Sequence, residues 1–237
     1  MTEKPQYKCE ICHDNGWVEV DPETRTVKKC KCTLAREAEE RMKRSGLENA
    51  LTTQTFETFK VNTDIQRQLS DMAHRYTEAV TDKDRRRPWM YIGGNPGSGK
   101  THICTAVCGD LLTKKNIAVR YMQWVEEARK LKALVNAEDF EEMLSDYINV
   151  SVLYIDDLLK QKYTDNPTFT DADIKIAFTI LNNRYLQNKP TIISTEWNLI
   201  DQLLTVDEGT FSRVYECSKG FTFYIPRDPA NNYRLTA

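Results

Sequence analysis

The chain has 237 residues, 40% of them hydrophobic, which is enough for one ordinary packed domain and a small second one. A net charge of −2 excludes a general basic field, so any contact with nucleic acid has to come from a local patch. No apolar run approaches the ~20 residues of a membrane span, and Met1 to Gln6 lacks the apolar core of a signal peptide; the seven cysteines are therefore expected in a reducing, cytoplasmic compartment, without disulfides.

Cys9-Glu-Ile-Cys12 is followed, after a spacer with hairpin character, by Cys30-Lys-Cys32. Two close cysteine pairs match what tetrahedral Zn²⁺ requires, thiolates about 2.3 Å from the metal delivered by two tight turns. Four unbound thiols are the alternative. In the spacer, Gly16 permits the turn out of the first pair, Val18 and Val20 alternate with polar residues, and Asp21-Pro22-Glu23-Thr24 reads as a turn. Thr24 to Lys29 then returns to the second pair, and His13 reads as a surface neighbour rather than a ligand. With no ligand position left open the zinc is expected to be structural, and so small a module to depend on it for folding.

Thr33 to Arg44 is a charged helical stretch with ion pairs at i,i+4 and little apolar face, followed by a linker from Leu47 to Thr55. Phe56 and Phe59 precede a helix from Thr63 to Val80, with Ile65, Leu69, Met72, Ala73, Tyr76 and Val80 on one face. Arg85-Arg86-Arg87 reads either as a solvated loop or as a contact for a phosphate backbone.

Next comes the most informative stretch. Trp89 to Ile92 is a short buried strand, Gly94-Asn95-Pro96-Gly97-Ser98-Gly99-Lys100-Thr101 fits the phosphate-loop pattern, and His102 to Leu112 continues as a helix. The glycines let bare N–H groups close round phosphate oxygens, Lys100 supplies a charge to the β/γ-phosphates, and the Thr101 hydroxyl can ligate Mg²⁺. The helix N-terminus adds its dipole. These residues predict a nucleoside triphosphate site.

Downstream, Ile117 to Met122 is a strand, and Trp124 to Leu134 and Glu138 to Tyr147 are helices. Ser151 to Asp157 is a buried strand delivering two carboxylates at its C-terminal end, where open α/β sheets place their chemistry. Asp156 is expected in the Mg²⁺ shell and Asp157 to orient or deprotonate the attacking water. Thr170 to Gln187 is an amphipathic helix and Thr191 to Thr195 a fourth strand; helices at Leu199–Leu204 and Thr210–Glu216 and a strand at Phe221–Ile225 complete the sheet. From Gly94 to Ala237 there is room for an αβα core and no helical lid. Arg213, on a helix after the fourth strand, is positioned either as an arginine reaching a neighbouring subunit's γ-phosphate or as an ordinary surface charge.

Taken together, Cys9/Cys12/Cys30/Cys32, Arg41-Met-Lys-Arg-Ser-Gly46, Thr55-Phe-Glu-Thr-Phe59, Gly94 to His102, Tyr154-Ile-Asp-Asp-Leu158, Pro190-Thr-Ile-Ile-Ser-Thr195, Ser212-Arg213 and Asn232-Tyr-Arg-Leu235 resemble the DnaC/DnaI-type replicative helicase loaders of the AAA+ group, and look most like the bacteriophage versions. The resemblance spans nearly the full length. It implies an α/β fold, an AAA+ P-loop αβα core with a parallel sheet and no lid (residues 49–237), preceded by a zinc-binding module with a linker helix (residues 1–48). It further implies ATP/ADP, Mg²⁺ and Zn²⁺ as cofactors, and slow ATP hydrolysis stimulated by partners. Those partners are a DnaB-type hexameric helicase, single-stranded DNA and further copies of the ATPase domain, in a bacterial cell or a phage-infected one and away from the membrane. Carried over by position, Gly94 to His102, Asp156 and Thr195 contact the nucleotide and Arg213 is the arginine finger. Ser194-Thr195 fall at sensor 1, followed by Glu196 where the family commonly has Asn. A carboxylate donates no hydrogen bond, so Thr195 or Asn198 is the expected substitute. An IstB-type transposition helper, a small-molecule kinase and a zinc adaptor that holds ATP without efficient turnover are the rival readings. The four cysteines count against the first, the missing lid against the second, and Glu196 leaves the third open.

Overall fold

The computed structural model describes residues 7–21, 24–33, 36–37, 40, 48–82, 88–134, 139–160 and 169–236. Most of the charged stretch from Thr33 to Arg44, and the whole Arg85–Arg87 run, lie outside the described residues. A hairpin of β1 (Trp17–Asp21) and β2 (Thr26–Lys29) stands between the cysteine pairs, antiparallel, with Trp17 opposite Lys29 and Glu19 opposite Val27.

The remaining elements, in chain order, are α1 (Glu48–Thr53), α2 (Asp64–Ala79), β3 (Met90–Gly94), α3 (Lys100–Thr113), β4 (Val119–Gln123), α4 (Trp124–Leu134), α5 (Asp139–Asn149), β5 (Val152–Asp156), α6 (Asp171–Leu186), β6 (Thr191–Ser194), a π-helical turn (Leu199–Leu203), α7 (Leu204–Val206), α8 (Glu208–Cys217), β7 (Thr222–Ile225) and α9 (Tyr233–Thr236). The five strands form one parallel sheet in the order β4-β5-β6-β3-β7. Their pleat sends alternate residues to opposite faces. Met90, Ile92, Val152, Tyr154 and Ile192 enter a core shared with α2 and α3, whereas Tyr91, Leu153, Ile155 and Ile193 enter a second core under α4, α5, α6 and α8. The result is the three-layer αβα architecture expected of the sequence, with no helix among the described residues long and apolar enough to cross a membrane.

Helix starts follow local chemistry. Thr63 and Gln66 close a capping box on α2, and Thr170 and Asp173 close another on α6. Elsewhere tertiary packing sets the boundaries. The expected linker from Leu47 to Thr55 contains α1, because Ala50 and Leu51 pack against the α2/α3 core. The expected helix at Leu199–Leu204 begins as a π-turn, capped by the Asn198 side chain accepting from the Ile200 and Asp201 amides. Beyond β7 a 3₁₀ turn (Pro229–Asn231) and α9 fold back over the end of β3, two elements that no periodicity in so short a stretch announces.

Candidate active site

The C-terminal ends of β3, β5 and β6 meet at one cavity of about 510 Å³, within the ordinary range for a small-molecule site. The phosphate loop forms its floor. Gly94 sits at φ 113°, and a Cβ there would lie 2.0 Å from the Ile225 carbonyl oxygen, so only glycine lets the loop leave β3 so close to β7. Gly97, at φ 72°, is pressed on the Asn232 side chain, where a Cβ would come within 2.1 Å. Asn95 donates to the Asp228 carbonyl (3.1 Å) and Ser98 to the Asn95 carbonyl (2.6 Å), which fixes the loop's curve.

Lys100 is buried, and its ammonium donates to the Gly94 (2.8 Å) and Asn95 (2.7 Å) carbonyls. Burial pulls its pKa below the ordinary lysine range, with the nearby Glu196 and Asp157 charges opposing. A buried ammonium held by carbonyls, under a loop whose glycines present amides, suits a phosphate chain.

Asp156 ends β5 behind Thr101, whose hydroxyl donates to it at 3.2 and 3.4 Å. Tyr121 of β4 (3.1 Å), Tyr154 of β5 (2.8 Å) and Ser194 of β6 also donate to this carboxylate. Burial, and then the charge of Asp156, push both tyrosine pKa values up, so each stays protonated as a donor. Ser194 in turn accepts from the Asp157 amide at 3.3 Å. A hydroxyl and a carboxylate side by side, next to the phosphate floor, fit a hard octahedral cation such as Mg²⁺.

Asp157 leaves the strand in the left-handed region (φ 57°), which turns its side chain away from that of Asp156 and into the cavity. Burial, then repulsion from Asp156, raise its pKa, while Lys160 opposes. Lys160 bridges Asp157 (3.1 Å) and Glu196 (3.0 Å) on the cavity wall. Burial works against its ammonium, but the two carboxylates outweigh it and hold its pKa above the usual value.

The structure therefore brings Pro96 to His102 and Asp157 to one cavity, with Gly94, Asn95 and Asp156 directly behind. His102 lines it too, but its Nε2 donates to the Thr55 carbonyl (2.9 Å), anchoring the segment that carries Phe59. Thr195 is not at the cavity: it is fully buried and its hydroxyl donates to the Leu158 carbonyl at 2.8 Å. Asn198 does not line the cavity either, its side-chain oxygen accepting at the helix cap, and Glu196 holds the wall instead. Arg213 lies on α8 away from this cavity, with its guanidinium bonded to the Gly209 carbonyl and 5.6 Å from the Tyr185 ring centre. Sequence reasoning gave no site role to Lys160, to the Tyr121 and Tyr154 donors, or to the roof of Phe59, Tyr233 and Arg234, and it put Ser194 at sensor 1 where the structure has it donating to Asp156. The only sequence signal for Lys160 is a cation three residues after Asp157.

At the other end of the chain the sulfur atoms of Cys9, Cys12, Cys30 and Cys32 all lie within 4.8 Å of one another. Cys9 and Cys30 are 3.8 Å apart and Cys12 and Cys32 3.4 Å, close to the ~3.8 Å between thiolates on one tetrahedral zinc and far beyond a disulfide. Burial opposes ionisation of Cys32, yet hydrogen bonds from Cys12, Cys30 and the Arg36 guanidinium bring its pKa down to about 6. The donor set fits Zn²⁺.

Among known proteins, the family described as IstB-like ATP binding protein matches residues 26–206. A Bacillus subtilis (strain 168) protein called Phage-like element PBSX protein XkdC is 32% identical over 228 residues, covering 93% of this chain and 83% of that one. Uncharacterized protein YqaM of the same organism is 32% identical over 217 residues, 88% of this chain; this chain spans 66% of its length. The solved structure titled Crystal structure of the DnaC helicase loader superposes with a TM-score of 0.62 over 75% of this chain and 99% of its own, at 20% identity, a likeness of fold.

Proposed function

Because the chain belongs to the family of IstB-like ATP-binding proteins, we propose that it is an ATPase of the helicase-loader kind, which binds a DnaB-type hexameric replicative helicase and delivers it to single-stranded DNA. The observation that carries this reading is a conjunction in one chain: a four-cysteine cluster that fits a metal ahead of an αβα core, with Lys100, Thr101, Asp156 and Asp157 gathered at one cavity edge. The fold likeness to a DnaC helicase loader supports it.

Each residue has a distinct task. The loop amides and Lys100 bind the β- and γ-phosphates, and Thr101 and Asp156 hold Mg²⁺, which when bound neutralises phosphate charge. Asp157 orients the attacking water and accepts its proton, and Arg213 completes the site of a neighbouring copy. Zn²⁺ on Cys9, Cys12, Cys30 and Cys32 folds the hairpin that grips the helicase. Trp17 and Val27, on one face of that hairpin, and Ile11 are exposed apolar groups suited to such a grip. The ATPase is expected to be slow alone and faster with helicase and DNA.

A second reading, an IstB-type transposition helper, keeps the same ATPase core and draws on the family description itself. Two measurements decide. Mixing the full chain with a bacterial replicative helicase should give a complex of defined mass, and its steady-state ATPase should rise with helicase and single-stranded DNA together. No complex, with ATPase stimulated by duplex DNA alone, favours the transposition helper.

A further inference from the structure

Asp157, Lys160 and Glu196 line the same cavity as the phosphate loop. Two carboxylates on the wall of a site for a polyanion oppose its occupant, and neither can donate to a phosphate oxygen. Lys160 changes that balance. An ammonium carries three N–H donors; Asp157 at 3.1 Å and Glu196 at 3.0 Å take two, which leaves one for an incoming oxygen. The arrangement is built rather than incidental, because the turn bearing Lys160 is fastened to the segment bearing Glu196. The Leu158 amide donates to the Ser194 carbonyl (2.9 Å), Thr195 to the Leu158 carbonyl (2.8 Å) and the Trp197 indole to the Leu159 carbonyl (3.1 Å). These bonds explain why Thr195 turns inward: it holds Lys160 and Glu196 face to face. Positive φ at Asp157 and Leu159 lets the turn aim both charged side chains at the cavity.

We propose that Lys160 is the chain's own γ-phosphate ligand, with Glu196 as its anchor, so that this pair distinguishes ATP from ADP. The inference rests on the ATP reading above. The γ-phosphate oxygen takes the N–H that Asp157 and Glu196 leave unused, and Glu196 keeps the lysine from following the phosphate away. This takes up the donor role that Glu196 cannot fill, that Thr195 gives to the Leu158 carbonyl, and that Asn198, which does not line the cavity, is not placed to fill.

The test compares binding of a non-hydrolysable ATP analogue and of ADP, each with Mg²⁺, to the full chain by displacement of a fluorescent nucleotide. Lys160→Met should weaken the analogue by about tenfold, the scale of one charge-assisted contact, and leave ADP within about twofold. Lys160→Arg should keep most of the discrimination. Lys160→Met combined with Glu196→Gln should recover part of the lost affinity, since the unpaired carboxylate is gone. Equal loss for both nucleotides, or no loss for either, makes Lys160 a structural bridge and overturns the inference. Thermal melting identifies a variant that fails to fold, in which case Lys160→Arg with Glu196→Gln is put through the same comparison and decides it. Lys100→Ala is the separate control, expected to lose both nucleotides. A parent chain that binds neither overturns the ATP reading, and this inference with it.

Discussion

Asp156 and Asp157 are adjacent in sequence but differ in surroundings. Asp156 accepts from four hydroxyls, those of Thr101, Tyr121, Tyr154 and Ser194, on four separate elements. Asp157 faces the cavity, and its carboxylate accepts from only one side chain among those described, Lys160. Opposite consequences follow for the isosteric amides. Asp157→Asn should keep Mg²⁺–nucleotide binding within about twofold while turnover falls by at least about a hundredfold, the usual scale for a missing general base. Asp156→Asn should raise the Mg²⁺ concentration needed for nucleotide binding and also lower the melting temperature, because an amide offers fewer acceptor sites to hydroxyls already buried around it. Titrating Mg²⁺ against fluorescent nucleotide, beside a melting curve, separates the two. Identical phenotypes in both assays would overturn the division of labour.

At the level of elements, the hairpin and the sheet are stabilised by different means. No residue of β1 or β2 is buried, and an isolated two-stranded ribbon is marginal in water. On the zinc reading proposed above, the hairpin's order depends on the four thiolates gathering a metal. Cys9→Ser or Cys30→Ser should release about one zinc per chain, measurable by atomic absorption, and disorder the hairpin, seen as lost protection from amide hydrogen exchange in β1 and β2. ATP binding should persist, since the phosphate loop belongs to the other sheet. Loss of nucleotide binding in a zinc-free, folded variant would contradict this independence. Beside the sheet, Arg184 of α6 is fully buried with no carboxylate bonded to it among the described residues. It donates to the carbonyls of Tyr147, Ile148 and Val150 at the end of α5, to Pro190 and to the Thr191 hydroxyl. Burial brings its pKa down to about 9, the cost of joining the end of one helix to the start of β6. Arg184→Ala would leave several buried carbonyls unpaired and should destabilise the fold by about 3 kcal/mol or more, read from denaturant unfolding. A loss under about 1 kcal/mol would mean that water replaces the guanidinium there.

For the whole molecule, the position of Arg213 matters most. It stands on α8, near the Tyr185 ring and away from the cavity of its own chain, so any action on a γ-phosphate must be on a neighbour's. Turnover should then rise with protein concentration. An Asp157→Asn chain supplies an intact Arg213, and an Arg213→Ala chain supplies an intact site. Mixed, they should regain activity that neither shows alone, within a finger's usual worth of roughly 10³–10⁵-fold. Absence of recovery in a co-assembled mixture would reduce Arg213 to a surface charge.

What the sequence determined by itself was whatever depends on residue types at short spacing. The phosphate loop is legible because its glycines and Lys100-Thr101 act through local backbone geometry, and the paired cysteines because each turn presents two thiols at once. The strands around Ile92, Tyr154 and Ile192 were legible because each is buried along its whole length and carries a short apolar run at its centre. What only the tertiary structure decided was which distant residues meet. Strand β3 lies between β6 and β7, and α9 reaches back so that the Tyr233 amide bonds the Gly97 carbonyl (3.0 Å). Lys160 meets Glu196, and Thr195 faces Leu158 instead of the cavity. None of these follows from propensity or periodicity, because a parallel sheet pairs strands through long crossovers and leaves their order open in the local sequence. The direction of a side chain at the end of a strand is then set by the neighbour that strand acquires, and in this chain that neighbour gave the cavity wall to Glu196.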